Sequence, residues 1–363
     1  MRPELYQTVY LIVIAVLSSG LGLRRVASTG YTIQEENRSS LWPLLLCLVY
    51  AAWIGLRPVS YVFGDTINYA FEYQTMDVRS VRVDWRYEWL WQWLMMGCKG
   101  AGLSLKAFFT LVAAGYVLSA FWAVKRLMPS DVLLGVLFVV SSLMFFTFSV
   151  NGLRNGLACH IVLLAICFLL DDKWIPGGLL CLAAFGIHRS TALPIAAALA
   201  GIFFIRDFRY ILAFWVASIF ISLFAGGAVT SFFSSLGFDD RMSNYTVAQD
   251  MSMFSQSGFR WDFLLYSTMP VVMAWYVCIR RGISDNWYDV ICTVYCLCNA
   301  FWIMVIRSAF SNRFAYLSWF LYPIVIAYPL VNLPVWENQD RLTGWILLAY
   351  TGFTIFMLAF FWG

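Results

Sequence analysis

The chain has 363 residues, of which 61% are hydrophobic and only 12% are charged, and its net charge is +4. A soluble domain carries about 25% charged residues, so this composition excludes an ordinary soluble protein. The small positive charge gives no reason to expect a nucleic-acid partner. Long apolar runs recur from end to end. Because these runs are continuous rather than alternating, they predict α-helices and exclude the strands of a membrane barrel.

Twelve membrane spans fit the apolar runs. A span needs about 17–25 residues, and two of the twelve, 174–187 and 190–205, are short for a full crossing. In chain order the predicted spans are 5–23, 40–57, 105–124, 131–150, 153–170, 174–187, 190–205, 209–226, 261–280, 287–306, 314–332 and 343–362. We therefore predict an all-α polytopic membrane protein whose single transmembrane domain covers residues 1–363.

Lysine and arginine in the short loops predict how these spans are oriented. Short cytoplasmic loops carry an excess of both residues. One set of loops holds most of them, namely Arg24, Arg25, Arg38, Lys125, Arg126, Lys173, Arg206, Arg209, Arg280, Arg281 and Arg341. We expect this set to be cytoplasmic. Both termini and the two long loops, 58–104 and 227–260, should then lie outside.

One further apolar segment, 88–104, does not fit this orientation as a span. If it crossed the membrane, Lys125 and Arg126 would move outside and every later loop would be inverted. Its tryptophans and Glu88 suit the membrane–water interface. We therefore predict an interfacial helix on the outer face.

Polar groups are concentrated in the segments predicted to lie outside. They occur in "GDTINYAFEY", "YEWLWQWL", "SVNGLRNGLACH", "GIHRST", "FDDRMSNYTVAQD" and "NRFAYLSWF". A charge near mid-membrane costs about 2.5–3.5 kcal/mol on insertion scales, so such groups usually face a cavity or a partner. The two short spans should place His188 and Arg189 slightly within the headgroup level, where the phosphates of a lipid carrier would lie.

Each polar group also has a purely structural interpretation. Asp65 fits the N-cap of a helix, and His188 fits a hydrogen-bonded histidine at a helix end. Arg154 and Arg189 fit lone arginines that extend to lipid phosphate. His160 lies in the middle of a span, where we expect a packed, hydrogen-bonded histidine. The nine cysteines lie mostly in apolar runs and are expected to be free thiols.

The order of the motifs resembles the EpsG family of Wzy-like polysaccharide-repeat polymerases. The matching elements are "GDTINYAFEY", a Glu in "YEWLWQWL", "NGLRNGLACHIVLLAICFLL", "FGIHRSTALPIAAAL" and "NRFAYLSWFLYPI". By that resemblance Asp65, Arg154, His188 and Arg313 are the signature positions. It implies a GT-C-like fold in the bacterial inner membrane. It also implies a periplasmic active site that lengthens O-antigen, exopolysaccharide or capsule chains.

The resemblance implies a donor glycan on a polyprenyl diphosphate and an acceptor repeat unit on a second such lipid. A diphosphate leaving group needs charge stabilisation more than a proton, and arginine supplies it. The candidate diphosphate-binding residues are Arg154, Arg189, Arg241 and Arg313. The attacking hydroxyl needs a base, for which Asp65 and His188 are unranked candidates. Together with Arg154 they form the candidate catalytic set, and Glu88, Tyr69 and Tyr245 are candidate substrate-binding residues.

No metal or other cofactor is expected, because the outward segments offer no acidic cluster. The expected partners are polyprenyl-diphosphate-linked glycans and membrane lipid, with a chain-length regulator as a further candidate. A lipid-linked oligosaccharide flippase is the main alternative. It would line a central cavity with charges, whereas these charges lie on one predicted face. A membrane acyltransferase would need a cytoplasmic polar site, which the sequence does not contain.

Overall fold

The computed structural model describes residues 1–28, 40–79, 82–205, 207–235, 259–307 and 311–361. Within these ranges the chain is helical and has no β-strand, and eight helices are long and apolar enough to cross a membrane. This confirms the predicted polytopic helical membrane protein. The remaining four predicted spans coincide with shorter apolar helices, Leu41–Gly55, Pro129–Val140, Trp174–Ile187 and Arg189–Phe203. That these four also cross the membrane stays a prediction.

The described chain forms two compact units, Met1–Arg189 with Ile326–Gly363, and Ser190–Val325. Nine helices of the first unit come first in the chain: α1 (Leu5–Val26), α2 (Leu41–Gly55), α3 (Thr66–Thr75), α4 (Trp89–Gly100), α5 (Leu105–Leu127), α6 (Val132–Val140), α7 (Phe145–Val150), α8 (Leu153–Leu170) and α9 (Trp174–Ile187). The second unit contains α10 (Ala192–Phe203), α11 (Phe208–Ser235), α12 (Trp261–Ala274), α13 (Asn286–Met304) and α14 (Ser311–Trp319). In sequence, α15 (Tyr322–Asn332) runs across the boundary, and α16 (Gln339–Phe360) belongs to the first unit.

Helix α8 lies at the centre of the first unit, where it packs against both α5 and α9. Helix α2 packs on the other side of α5, and α1 packs against α16. His160 on α8 is buried, its Nδ1 lies 2.8 Å from the carbonyl oxygen of Tyr116, and its ring stacks on the Tyr116 ring at 4.1 Å. The prediction of a packed histidine is therefore confirmed. All nine cysteines are free, as predicted.

The predicted span 131–150 is not one helix, because α6 and α7 are separated by a turn at 141–144. The break exposes carbonyl groups that a continuous helix would satisfy. The Tyr10 hydroxyl donates to the carbonyl of Val140 at 2.5 Å, and the Thr354 hydroxyl donates to that of Ser141 at 2.8 Å. Irregular backbone is tolerated inside a membrane protein when buried side chains satisfy it in this way. Because Tyr10 and Thr354 are remote in sequence, the apolar pattern of the segment alone predicts an unbroken span.

Helix α4 corresponds to the apolar segment that was predicted not to cross. It has 12 residues, which span about 18 Å and are too few for a hydrocarbon core of about 30 Å. One face of the helix is buried, with Trp91 only 1% exposed, whereas Trp93 is 53% exposed. A short helix with one buried and one exposed face agrees with the predicted non-spanning helix, and its place at the outer membrane surface stays a prediction.

The second unit is built around α13, which packs against α10, α11 and α14. The buried amide of Asn299 joins three of these helices. Its Oδ1 accepts from Trp215 Nε1 at 2.8 Å, and its Nδ2 donates to Ser318 Oγ at 3.0 Å. Helix α12 continues into a π-helical turn, Trp275–Arg280.

Candidate functional site

Three separate segments of the first unit meet at the Glu88 carboxylate. Its Oε2 lies 3.3 Å from Nη1 of Arg154, in the first turn of α8. Its Oε1 lies 3.4 Å from Nδ1 of His188, which follows the last residue of α9. The side chains of Arg154, His188 and Glu88 are 17%, 19% and 23% exposed, so each is mostly buried and partly accessible. We call these three residues the Glu88 cluster.

Tyr69 on α3 adds an aromatic wall to the cluster. Its hydroxyl accepts a hydrogen bond from Nε of Arg154 at 3.3 Å, and the guanidinium lies 5.6 Å from the centre of its ring. The Tyr69 ring in turn packs edge-on against Trp91 of α4, with 5.5 Å between ring centroids. The guanidinium of Arg154 thus contacts a carboxylate through Nη1 and a phenol through Nε.

Local backbone features explain why these side chains converge. Helix α9 ends at Ile187, and His188 is extended (φ −151°, ψ 111°), which takes its ring out of the helix. Two residues before His188, Gly186 packs directly on α4. A Cβ at position 186 would lie 2.7 Å from the Trp89 ring and 2.8 Å from Cβ of Leu90. The missing side chain therefore lets the end of α9 approach the start of α4, where Glu88 is the N-cap residue.

The Glu88 cluster keeps its carboxylate ionised. Burial alone would raise the pKa of Glu88, but the contact with His188 and the positive charge of Arg154 outweigh burial and lower it to about 2. Opposite charges at this distance favour the charged form. The cluster therefore combines a fixed cation, a fixed anion and an imidazole at neutral pH.

Asp65 lies at the start of α3, close in sequence to Tyr69. It occupies the N-cap position, but its side chain makes no capping hydrogen bond to α3. Its backbone N–H donates to Oδ1 of Asn151 at 2.9 Å, in the junction between α7 and α8. The structure thus brings the Asp65 backbone to the residues that lead into α8, the helix that carries Arg154.

Arg189 is exposed and turns toward the segment that precedes α4. Its Nη1 donates to the carbonyl oxygen of Arg86, and its guanidinium lies 5.8 Å from the centre of the Phe185 ring. It therefore neighbours the loop that carries Glu88 without joining the three-residue contact.

The other predicted site residues belong to the second unit or lie outside the described residues. Arg313 is on α14 and is half-buried. Arg241 and Tyr245 lie outside the described residues. Among the residues that the structure does describe, no three His, Cys, Asp or Glu side chains are grouped so as to hold a metal ion.

Sequence reasoning missed Arg57, which follows α2 and is only 1% exposed. A single arginine next to a proline at the end of an apolar run resembles one that reaches the lipid surface, so the sequence carries little signal for a buried role. Its contacts are described below.

Comparison with known protein families gives a match over most of the chain. A sequence model described as the EpsG family matches residues 40–363. This confirms the resemblance inferred from the order of the motifs, and the matched range contains every residue of the Glu88 cluster. No curated protein and no solved structure matches the chain.

Proposed function

This chain belongs to the EpsG family, and from that membership and the geometry of the Glu88 cluster we propose that it joins lipid-linked oligosaccharide repeat units by glycosyl transfer. The family match supports a polysaccharide polymerase that uses lipid-linked glycans. The eight long apolar helices within the described ranges support a multi-pass membrane protein. The finer proposal is that the repeat units are carried on polyprenyl diphosphate and joined at the periplasmic face of the bacterial inner membrane.

The observation that carries the proposal is the shared carboxylate of Glu88. It contacts a guanidinium and an imidazole that two different helix ends supply, at 3.3 and 3.4 Å. Transfer from a lipid diphosphate needs positive charge at the leaving group and a base at the attacking hydroxyl. Arg154 and His188 are side chains of these two types, and both are partly exposed.

Arg154 binds the diphosphate in this proposal. Its planar guanidinium stays charged and grips two phosphate oxygens at once. It lies in the first turn of α8, where the helix dipole and free backbone N–H groups also favour an anion. Negative charge that develops on the leaving oxygens is therefore stabilised by both the side chain and the helix end.

His188 is the base in this proposal, and the contact with Glu88 ranks it above Asp65. In this proposal Nδ1, which lies 3.4 Å from Glu88 Oε1, carries the proton of the neutral imidazole, and the accepting lone pair is on Nε2. The acceptor hydroxyl attacks the anomeric carbon of the donor and passes its proton to Nε2. The bond from that carbon to the diphosphate oxygen breaks, and its electron pair leaves with the lipid diphosphate.

The remaining predicted residues keep supporting roles in the proposal. Arg189, Arg241 and Arg313 are further candidates for the second diphosphate. Tyr69 and Tyr245 are candidates for sugar contact, and Asp65 orients the acceptor. Twelve crossings, a GT-C-like arrangement and a chain-length regulator as partner belong to the proposal in the same way.

The test is to replace Arg154 or His188 by alanine and follow chain length in cells. Each change should reduce chain extension at least about 100-fold, because it removes charge stabilisation or the base. A single repeat unit should still reach its final acceptor. Gel separation of the extracted polysaccharide shows the chain-length distribution directly.

Arg126→Ala is the matched control, because Arg126 also pairs with a carboxylate, Asp171, and is 30% exposed. It should leave chain length unchanged. Full-length chains from Arg154→Ala or His188→Ala at normal protein levels would refute the proposed function. Accumulation of repeat units on the cytoplasmic side would instead support the flippase alternative.

A further inference from the structure

Arg57 is a buried cation with an incomplete set of partners. It is 1% exposed and directly follows the C-cap residue of α2. Nη1 donates to the carbonyl of Ile54 at 2.8 Å, and Nη2 donates to Oγ1 of Thr66 at 2.8 Å. Its Nε is buried without a hydrogen-bond partner, and no described carboxylate forms an ion pair with it. Aromatic rings also stabilise its charge, with that of Phe109 4.8 Å away.

Burying the guanidinium of Arg57 without a carboxylate partner is unfavourable. Removing a charge from water carries a penalty of several kcal/mol, and a carboxylate partner usually offsets part of it. Packing alone would be served better by an apolar residue of similar volume. The contacts of Arg57 with two helix ends indicate a different role for the residue.

Arg57 joins the start of α3 to the end of α7. The Thr66 hydroxyl that accepts from Arg57 donates to the carbonyl of Val150 at 2.5 Å, and Nη2 of Arg57 lies 3.5 Å from the same carbonyl oxygen. Thr66 is fully buried and begins α3, and Val150 ends α7. One guanidinium and one hydroxyl thus hold the two helix ends together.

A second contact closes the same junction, between the residue before Thr66 and the residue after Val150. The backbone N–H of Asp65 donates to Asn151 Oδ1, and Gly64 has a positive φ of 56° with its Cα directly against the Asn151 amide. A Cβ at position 64 would lie 2.6 Å from that amide, so only glycine fits. The start of α3 is therefore fixed against the residues that lead into α8.

Both sides of the Arg154–Tyr69 contact depend on this junction. Tyr69 lies one turn into α3, and Arg154 lies in the first turn of α8. We propose that Arg57, through Thr66, is a positioning residue that keeps Tyr69 in contact with the Arg154 guanidinium and so holds that guanidinium in the orientation required for the lipid diphosphate. This inference rests on the proposed function, since it assigns Arg57 a role in the same site.

The experiment measures binding of undecaprenyl diphosphate to purified protein in detergent, together with the thermal unfolding midpoint. Thr66→Val removes the hydroxyl at nearly constant volume and should weaken binding about five- to tenfold, as expected when one buried hydrogen bond that fixes a site is lost. Arg57→Lys keeps the charge but loses the two-armed geometry, and it should weaken binding by a similar factor. The double variant should be no weaker than Arg57→Lys alone, because the two side chains act in one chain of contacts.

Thr354→Val is the matched control. It removes another buried threonine hydroxyl, which bonds the carbonyl of Ser141 in the turn between α6 and α7. This variant should lower the unfolding midpoint without changing affinity. If Thr66→Val and Arg57→Lys also lower only the midpoint and bind within twofold of the wild type, Arg57 is merely structural and the inference is wrong.

Arg154→Ala separates this inference from the proposed function. Loss of binding in Arg154→Ala with wild-type binding in both junction variants overturns the role of Arg57 alone. Unchanged binding in Arg154→Ala overturns the diphosphate site itself and the positioning role with it. If Arg57→Lys does not fold, Thr66→Val still decides the outcome.

Discussion

The two ends of α8 carry matching sets of charges and differ in what they can do. At its N-terminal end Glu88 contacts Arg154 and His188 at 3.3 and 3.4 Å. At its C-terminal end Asp171 contacts Nη1 of Arg126 at 2.5 Å and Nζ of Lys173 at 3.4 Å. Each end therefore has one carboxylate and two basic side chains.

The two sets differ in one basic side chain, which is His188 at the N-terminal end and Lys173 at the C-terminal end. They also differ in the charge that each end of the helix favours. Lysine is normally protonated at neutral pH, so the C-terminal set has no ready proton acceptor, whereas imidazole is suited to that task. The N-terminal end of a helix also favours anions, and the C-terminal end does not. Charge composition alone would not distinguish the two sets, so the candidate site is recognised from the histidine and from the end of the helix at which it lies.

The largest expected contrast is between neutralising the Glu88 carboxylate and neutralising the Asp171 carboxylate. Glu88→Gln should lower the rate of repeat-unit joining by about 10²–10⁴-fold, because the imidazole loses the charge that orients and supports it. Asp171→Asn should leave the rate within about twofold. The rates are measured in proteoliposomes with lipid-linked repeat units extracted from cells that lack the polymerase.

Affinity should respond to Glu88→Gln in the opposite direction. Removal of a negative charge beside Arg154 should maintain or increase binding of undecaprenyl diphosphate. A parallel loss of rate and affinity would contradict the assigned role of Glu88 and would indicate that the variant disrupts the whole site.

Acid should destabilise the N-terminal set through Glu88. Its pKa is about 2 in the folded protein against 4.5 as the ordinary value, so its contribution to stability is present above pH 4.5 and is lost as the pH falls toward 2. The contribution is on the order of 2 kcal/mol after allowance for partial exposure. Unfolding of the purified protein in detergent from pH 7 to pH 3 should show a shallower loss of stability in Glu88→Gln than in the wild type, and equal slopes would contradict the assignment.

Lysine replacement of the two arginines should give the smallest contrast. Arg154→Lys keeps the charge but cannot grip two oxygens in one plane, so affinity for undecaprenyl diphosphate should fall about tenfold. Arg126→Lys should bind as the wild type does. Equal binding by Arg154→Lys and the wild type would show that Arg154 acts only as a point charge.

The helices were predictable from the sequence because hydropathy is a local property. Each predicted span coincides with an apolar helix or pair of helices among the described residues. The break between α6 and α7 was not predictable, because it depends on hydroxyl groups at positions 10 and 354 that supply hydrogen bonds from other helices. Long-range contacts of this kind leave no trace in the hydropathy of the segment itself.

The sequence predicts which residues belong to the candidate site, but it does not predict which of their side chains contact one another. The polar pattern predicts Glu88, Arg154 and His188 on one face, but nothing in it places the Glu88 carboxylate between the other two side chains. Arg57 was missed, because burial of an arginine at a helix end depends on the fold around it. The roles of Arg241 and Tyr245 stay predictions, since they lie outside the described residues.

The hydroxyl-bridged break between α6 and α7 also bears on how the protein is made. The carbonyl of Ser141 receives its side-chain hydrogen bond from Thr354 on α16, which is 213 residues further along the chain. Until that helix emerges from the ribosome, the bent segment lacks a partner that the finished protein supplies. Assembly of residues 132–150 is therefore complete only after α16 has been made, so truncation before α16 should leave this segment improperly assembled.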